Sequence, residues 1–365
     1  MVKLGVSIYP TLSIEKAFQG LKQANDFKLD FIFTSLHLPE SKKENIKKLD
    51  EFFKEAIKLD IFTIADISPS TIDVFKENNL NLDILKKWGI KALRFDYGFS
   101  FPDILEILKL TGLEPVLNAS DLNVSEVKEF LSLSRKKELT LIHNFYPAPE
   151  TGLSYEYYLR QNKDFKELNL KIGAFIPSLN NPRQPLFAGL PTLERHRQQN
   201  LDLLVLELLS NSDLDYLCFG DPLASTDEIN LVKDLINRII PLSATLISNL
   251  PPTVIDLLNK EHQSRPDEAE YVIRSNYSRS IPTPSGIIIE PFNTVNRPAG
   301  SITIANNLAG RYVGELQIVK QDLPPKASVN VVGYLSKEAT LLLPFIKGKD
   351  CFKFILETVD SKLIK

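Results

Sequence analysis

Arg94 and Asp96 stand two apart in "LRFDYG", at the end of an apolar run, so their side chains leave an extended chain on the same side. A cation and a carboxylate delivered together suit general acid/base chemistry, or a plain internal ion pair. Comparable deliveries recur along the chain. Tyr9 ends "KLGVSIYP", His37 and Glu40 follow "DFIFTS", Asp66 ends "IFTIAD" and Asn118 ends "EPVLN". His143, Asn144 and Tyr146 end "LTLIHNFY", Ser178 ends "LKIGAFIPS", and Asp221 follows "DYLCFG". Each has a purely structural alternative. Asp66 and Asp221 fit turn aspartates, His143 fits a buried core histidine, and Ser68, Ser120 and Ser225 are set aside as helix caps.

The elements that must position these residues are eight short apolar runs separated by amphipathic stretches such as "IEKAFQGLKQAN", "FPDILEILKLTG" and "TDEINLVKDLINRI". Near-continuous apolar strands alternating with helices predict a parallel sheet covered by helices. Eight units over roughly 240 residues match a (β/α)8 TIM barrel, whose active site sits at the C-terminal strand ends. An open doubly wound sheet is the alternative, but no strand-to-helix turn carries G-x-G-x-x-G. The loop after the seventh run, "SLNNPRQPLFAGLPTLERHRQQN", is long enough to expect a function, and it carries Arg183, Glu194, Arg195, His196 and Arg197. The last four are read as opening a helix. From about residue 245 the texture changes to Pro-punctuated β segments: "SGIIIEPF", "GSITIANN", "YVGELQIVKQ", "SVNVVGYL" and "ATLLLPF". The expected organisation is a catalytic barrel over 1–243 and a smaller antiparallel β domain over 244–365.

The chain has 365 residues and a formal net charge of -3, which gives no electrostatic case for nucleic acid or an anionic membrane. No apolar run reaches the ~20 residues of a membrane helix, and "MVKLGVSIYP" has no signal-peptide pattern, so a cytoplasmic protein is expected. Cys218 and Cys351 are read as reduced, buried thiols. No run ends in Lys, which argues against Schiff-base chemistry, and the His residues are too scattered for zinc. Carboxylates, amides and arginines around a concave mouth suit acid/base chemistry on an anionic small molecule such as a sugar phosphate, with no metal or organic cofactor.

"LGVSIYP", "IFTSLHLPE", "RFDYGFS", "HNFYPAPETGLS" and "AGLPTLERHR", followed by "HQSRPDEAEYVIRSNYSRS" and "AGRYVGELQIVKQDLP", resemble the bacterial 6-phospho-N-acetylmuramidases. The resemblance spans most of the chain. It departs from the family pattern at Thr11, Gln184 and Ala305. It implies a barrel followed by a cyclophilin-like β domain, and hydrolysis of a 6-phosphorylated N-acetylmuramic acid disaccharide during cytoplasmic cell-wall recycling. A non-catalytic sugar-phosphate sensor, a hydrolase for another 6-phosphoglycoside and a sugar-phosphate isomerase are the competing classes. For a hydrolase, Asp96 and Glu194 are the expected acid/base pair, with Asp66 and Asp221 in reserve. The sugar's own acetamido group is the alternative nucleophile, with a carboxylate, or a tyrosine such as Tyr9 or Tyr146, orienting it. Substrate contacts are expected from Tyr9, His37, Arg94, Asn118, His143, Asn144 and Tyr146. Arg183 or Arg197 is expected to hold the phosphate, joined by Arg279, and Arg297 is a further candidate.

Overall fold

The structure, a computed structural model, describes residues 1–36, 43–135, 138–278 and 288–356. His37, Glu40 and Arg279 lie outside the described residues. The chain divides into two compact units, 1–233 and 234–365.

The first unit is a closed barrel of eight parallel strands: β1 (Lys3–Ser7), β2 (Phe31–Ser35), β3 (Thr63–Ile67), β4 (Ala92–Phe95), β5 (Glu114–Asn118), β6 (Thr140–Ile142), β7 (Lys171–Ile176) and β8 (Tyr216–Phe219). All eight strands fall within the eight apolar runs of the sequence. β8 pairs back onto β1, with Gly5 opposite Cys218, which removes both sheet edges. Phe31, Phe33, Ile64, Val116, Ile142 and Phe175 pack together as one buried cluster. A Cβ on Gly5 would lie 2.5 Å from the Phe31 ring, so glycine is what lets that ring fill its place beside β1.

Local signals start and stop the outer helices. Helix Phe101–Thr111 begins with a reciprocal Ser100–Asp103 capping box and Pro102 in its first turn, and ends on Gly112 at φ 65°. Asn123 and Glu126 form the same box at Val124–Ser134. The long loop behaves differently from its expected form. Glu194–His196 is a single 3-10 turn, and the helix opens only at Leu201, running to Asn211. Leucines drive that helix, and six of its first eight residues are buried.

Among the described residues the second unit holds a seven-stranded sheet, in the order β10-β15-β9-β14-β12-β13-β11. Its strands are β9 (Ile239–Leu246), β10 (Glu261–Gln263), β11 (Val272–Arg274), β12 (Ser301–Ala305), β13 (Leu316–Val319), β14 (Val329–Leu335) and β15 (Cys351–Leu356). The sheet is mixed, because β15 runs parallel to β9. Two expected strands are corrected. "ATLLLPF" is helical over Lys337–Leu342 and continues as a 3-10 turn, because Ser336 caps it by accepting the Ala339 N–H. The described part of "SGIIIEPF", 288–292, pairs with no strand. Its Phe292 N–H is taken by the Asn330 side chain. Among the described residues no helix is long and apolar enough to cross a membrane.

Candidate active site

Register brings Asp66 and Arg94 side by side, since they are Cα partners on β3 and β4. Arg94 Nη1 lies 2.8 Å from Asp66 Oδ1 and 3.8 Å from Asp96 Oδ1. The rest of the guanidinium passes over β5 to the end of β6. There Nε and Nη2 donate to the Ile142 carbonyl at 3.2 Å, and Nη2 also donates to Asn144 Oδ1. Arg94 is therefore a buried brace, with most of its donors turned to Asp66, Asn144 and the Ile142 carbonyl. Of the two aspartates, Asp96 is the more open, its side chain 18% exposed against 9% for Asp66.

Asp66, Arg94, Asp96 and Asn144 line a cavity of about 160 Å³ with Phe33, Phe145 and Phe175. The three rings meet edge to face, with centroids 5.0 to 6.4 Å apart. Apolar faces beside a few convergent polar groups suit a sugar ring, which has one apolar face and a polar edge. Asn118 is buried behind Asp96. Its Nδ2 donates to Asp96 Oδ1 at 3.3 Å and to Asp121 Oδ2 at 2.6 Å.

Beneath this cavity His143 is fully buried, which corrects its expected place at the mouth. Its Nε2 meets Asn162 Oδ1 at 2.8 Å and its Nδ1 meets Ser120 Oγ at 3.3 Å. Burial pulls its pKa down to about 4, so the ring is neutral at neutral pH. Ser120 in turn accepts the Asn144 N–H at 2.9 Å, so His143 positions Asn144 through Ser120. Ser120 is thus not the helix cap it resembles, a role that Asn123 fills. Tyr146 is half-buried, and burial is the main influence raising its pKa.

Glu194 and Arg197 are corrected together. Arg197 donates from Nε to Glu194 Oε1 and from Nη2 to Glu194 Oε2, both at 2.6 Å. Its remaining donors take the carbonyls of Ala188, Gly189, Tyr146 and Ala148. Glu194 Oε2 also accepts the Gly152 N–H at 2.8 Å. A Cβ on Gly152 would come within 2.7 Å of Glu194, so "TGLS" needs its glycine for this approach. The Arg197 hydrogen bond, offset in part by desolvation, holds the Glu194 pKa at about 2. A carboxylate so low is a poor proton donor at neutral pH, and a guanidinium so occupied has no fork left for a phosphate. Together they clasp the loops after β6 and β7.

Asp221 is fully buried and accepts three backbone N–H groups, from Arg183 at 2.7 Å and from Ser178 and Leu190 at 3.0 Å. Burial is the foremost influence on its pKa and raises it. It folds the loop after β7, and its place in the catalytic reserve is corrected accordingly. Ser178 belongs to the same buried group, donating to Glu228 Oε2. Tyr9 donates to the Gly220 carbonyl at 2.7 Å, and its ring lies 4.5 Å beneath the Arg183 guanidinium. In the second unit, Arg274 pairs with Glu315, and the buried Arg297 donates to the Pro324 carbonyl. The walls Phe33, Phe145 and Phe175 and the exposed Asp121 are components that the strand-end reading missed. Phe145 stands between two residues that the reading did select, Asn144 and Tyr146. Asp121 follows Ser120, a residue taken for a cap.

A closed barrel of eight parallel strands with alternating helices defines a protein of the TIM-barrel class. The chain belongs to the 6-phospho-N-acetylmuramidase family. The family's N-terminal model matches residues 4–234 and its C-terminal model residues 240–355. A conserved Enterococcus faecalis protein of unknown function has a similar structure. It is 28% identical with a TM-score of 0.78, over 98% of this chain and 97% of that one. An uncharacterized Bacillus cereus protein is 26% identical with a TM-score of 0.77, over 97% and 100%. Among curated proteins, none matches the chain.

Proposed function

We propose that this protein is a cytoplasmic glycoside hydrolase that releases 6-phosphorylated N-acetylmuramic acid from a cell-wall disaccharide. The family match supports the reaction class. The observation that carries the reading is Asp96. It is a partly open carboxyl in an aromatic-walled cavity at the barrel's strand ends, while Glu194 and Asp221 are spent on loop structure.

With Glu194 in the clasp, the carboxyls left in the cavity are Asp96 and the more buried Asp66. Asp66 is engaged by Arg94 at 2.8 Å, which suits it to orienting the sugar's acetamido group and not to attacking C1. We therefore take the substrate-assisted course. Asp96 protonates the glycosidic oxygen as the C1–O bond breaks. The carbonyl oxygen of the sugar's own 2-acetamido group closes on C1, oriented by Asp66. Water, deprotonated by Asp96, then opens the cyclic intermediate, and the product keeps its anomeric configuration.

The test is incubation with the 6-phosphorylated disaccharide and with its unphosphorylated form, following free sugars and their anomers. Release of the sugar phosphate from the first alone, with retention, is expected. Equal turnover of both would remove the phosphate from the claim. Binding without release across a panel of phosphoglycosides would favour a sensor.

A further inference from the structure

A second cavity, of about 420 Å³, lies where the loops after β1, β7 and β8 meet, and Tyr9, Ser13, Lys16, Asn180 and Arg183 are among its walls. Its lining holds two cations, Arg183 and Lys16, and no carboxylate. Neither cation has an ion pair among the described residues, and Arg183 Nε is buried with no protein acceptor. The guanidinium is held in place by rings. Its carbon lies 4.5 Å from the Tyr9 centroid and 5.3 Å from that of Phe145.

Two nearby acids form no ion pair with the guanidinium, although Asp221 lies close enough for its charge to interact with that of Arg183. Asp221 turns its oxygens to the backbone N–H groups of Ser178, Arg183 and Leu190. Glu15 accepts from the Ser13 hydroxyl and stands outside the lining.

We propose that this cavity is an anion subsite that takes the phosphate monoester of a sugar 6-phosphate. Arg183 presents the fork and Lys16 the second positive charge. Two cations with no carboxylate between them suit a phosphate dianion better than a single carboxylate, which one guanidinium satisfies. The location also fits, since barrels of this class frequently bind phosphate at the loops after strands seven and eight. Phe145 joins the two cavities, touching the Arg183 cation on one side and lining the Asp96 cavity on the other. The sugar therefore lies past Phe145, with its phosphate on Arg183 and its anomeric end toward Asp96. The sugar part of the inference rests on the hydrolase reading, whereas the anion part rests on Arg183 and Lys16 alone.

Calorimetric titration tests it with N-acetylglucosamine 6-phosphate, N-acetylglucosamine and N-acetylmuramic acid. The phosphorylated sugar is expected to bind and the two unphosphorylated sugars to give no heat. Arg183→Gln should weaken that binding tenfold or more. Lys16→Ala should weaken it severalfold, at an exposed position whose truncation leaves folding intact. Unchanged binding in both variants would overturn the site. Arg183-dependent binding of N-acetylmuramic acid, with none of the phosphate ester, would overturn the choice of phosphate. Arg183-dependent phosphate binding in a protein that cleaves no phosphodisaccharide would uphold the subsite and refute the hydrolase reading.

Discussion

Arg197 meets Glu194 at two points, Nε on Oε1 and Nη2 on Oε2, each at 2.6 Å. The same guanidinium holds the Tyr146 and Ala148 carbonyls, and the same carboxylate holds the Gly152 N–H. Arg197 is buried but Glu194 is about a third exposed, so water screens the stranded carboxylate and Arg197→Ala should cost about 2 kcal/mol of stability. Denaturant unfolding of the variant measures this, and a loss below about 1 kcal/mol would contradict the clasp. pH gives a second reading. The folded Glu194 pKa, about 2, lies below its ordinary 4.5, so its stabilisation is complete above about 4.5 and is lost as pH falls toward 2. Glu194→Gln should therefore flatten the acid side of the stability profile, and an unchanged slope would count against it.

Arg94 braces Asp66 at 2.8 Å and the end of β6 through the Ile142 carbonyl. Arg94→Met keeps much of the volume but removes the guanidinium that meets Asp66 Oδ1 and the Ile142 carbonyl. Unfolding should show a loss of about 3–5 kcal/mol. A variant as stable as the parent would show that the brace contributes little.

His143 stays neutral well below neutral pH, because burial holds its pKa at about 4. The unfolded ring takes its proton near the ordinary 6.5, so this histidine withdraws stability as pH falls from about 6.5 toward 4. His262, also lowered to about 4 by burial, acts in the same direction in the second unit. NMR of the imidazole carbons should find His143 unprotonated at pH 5.5. A midpoint near 6.5 would mean that the ring reaches water.

The barrel was legible because buried parallel strands are continuous apolar runs, and because capping boxes such as Ser100–Asp103 punctuate the helices between them. The second unit was less so. β10 and β11 are three residues each, too short for any period, and the apolar run at Ala339–Phe345 reads equally as strand or helix. At the site, the sequence shows which polar residues end the strands. Whether such a residue faces a ligand or is consumed internally depends on partners far along the chain. Glu194 finds Gly152 at a separation of 42 residues, and Arg94 finds Asn144 at 50. Arg183 and Arg197 look alike in one loop, yet one stacks on rings without an acceptor for its Nε and the other is bound on every side. Spacing does not separate them.

The most direct measurement is the turnover of Asp96→Asn on the 6-phosphorylated disaccharide, beside the parent and with Kd measured separately. The amide keeps the shape and the Asn118 neighbourhood but offers no proton at the glycosidic oxygen. A positioned acid/base group supplies ~10²–10⁴ in rate, so kcat should fall by at least about a hundredfold with Kd nearly unchanged. A fall of less than tenfold would contradict the assignment of Asp96 as the catalytic carboxyl.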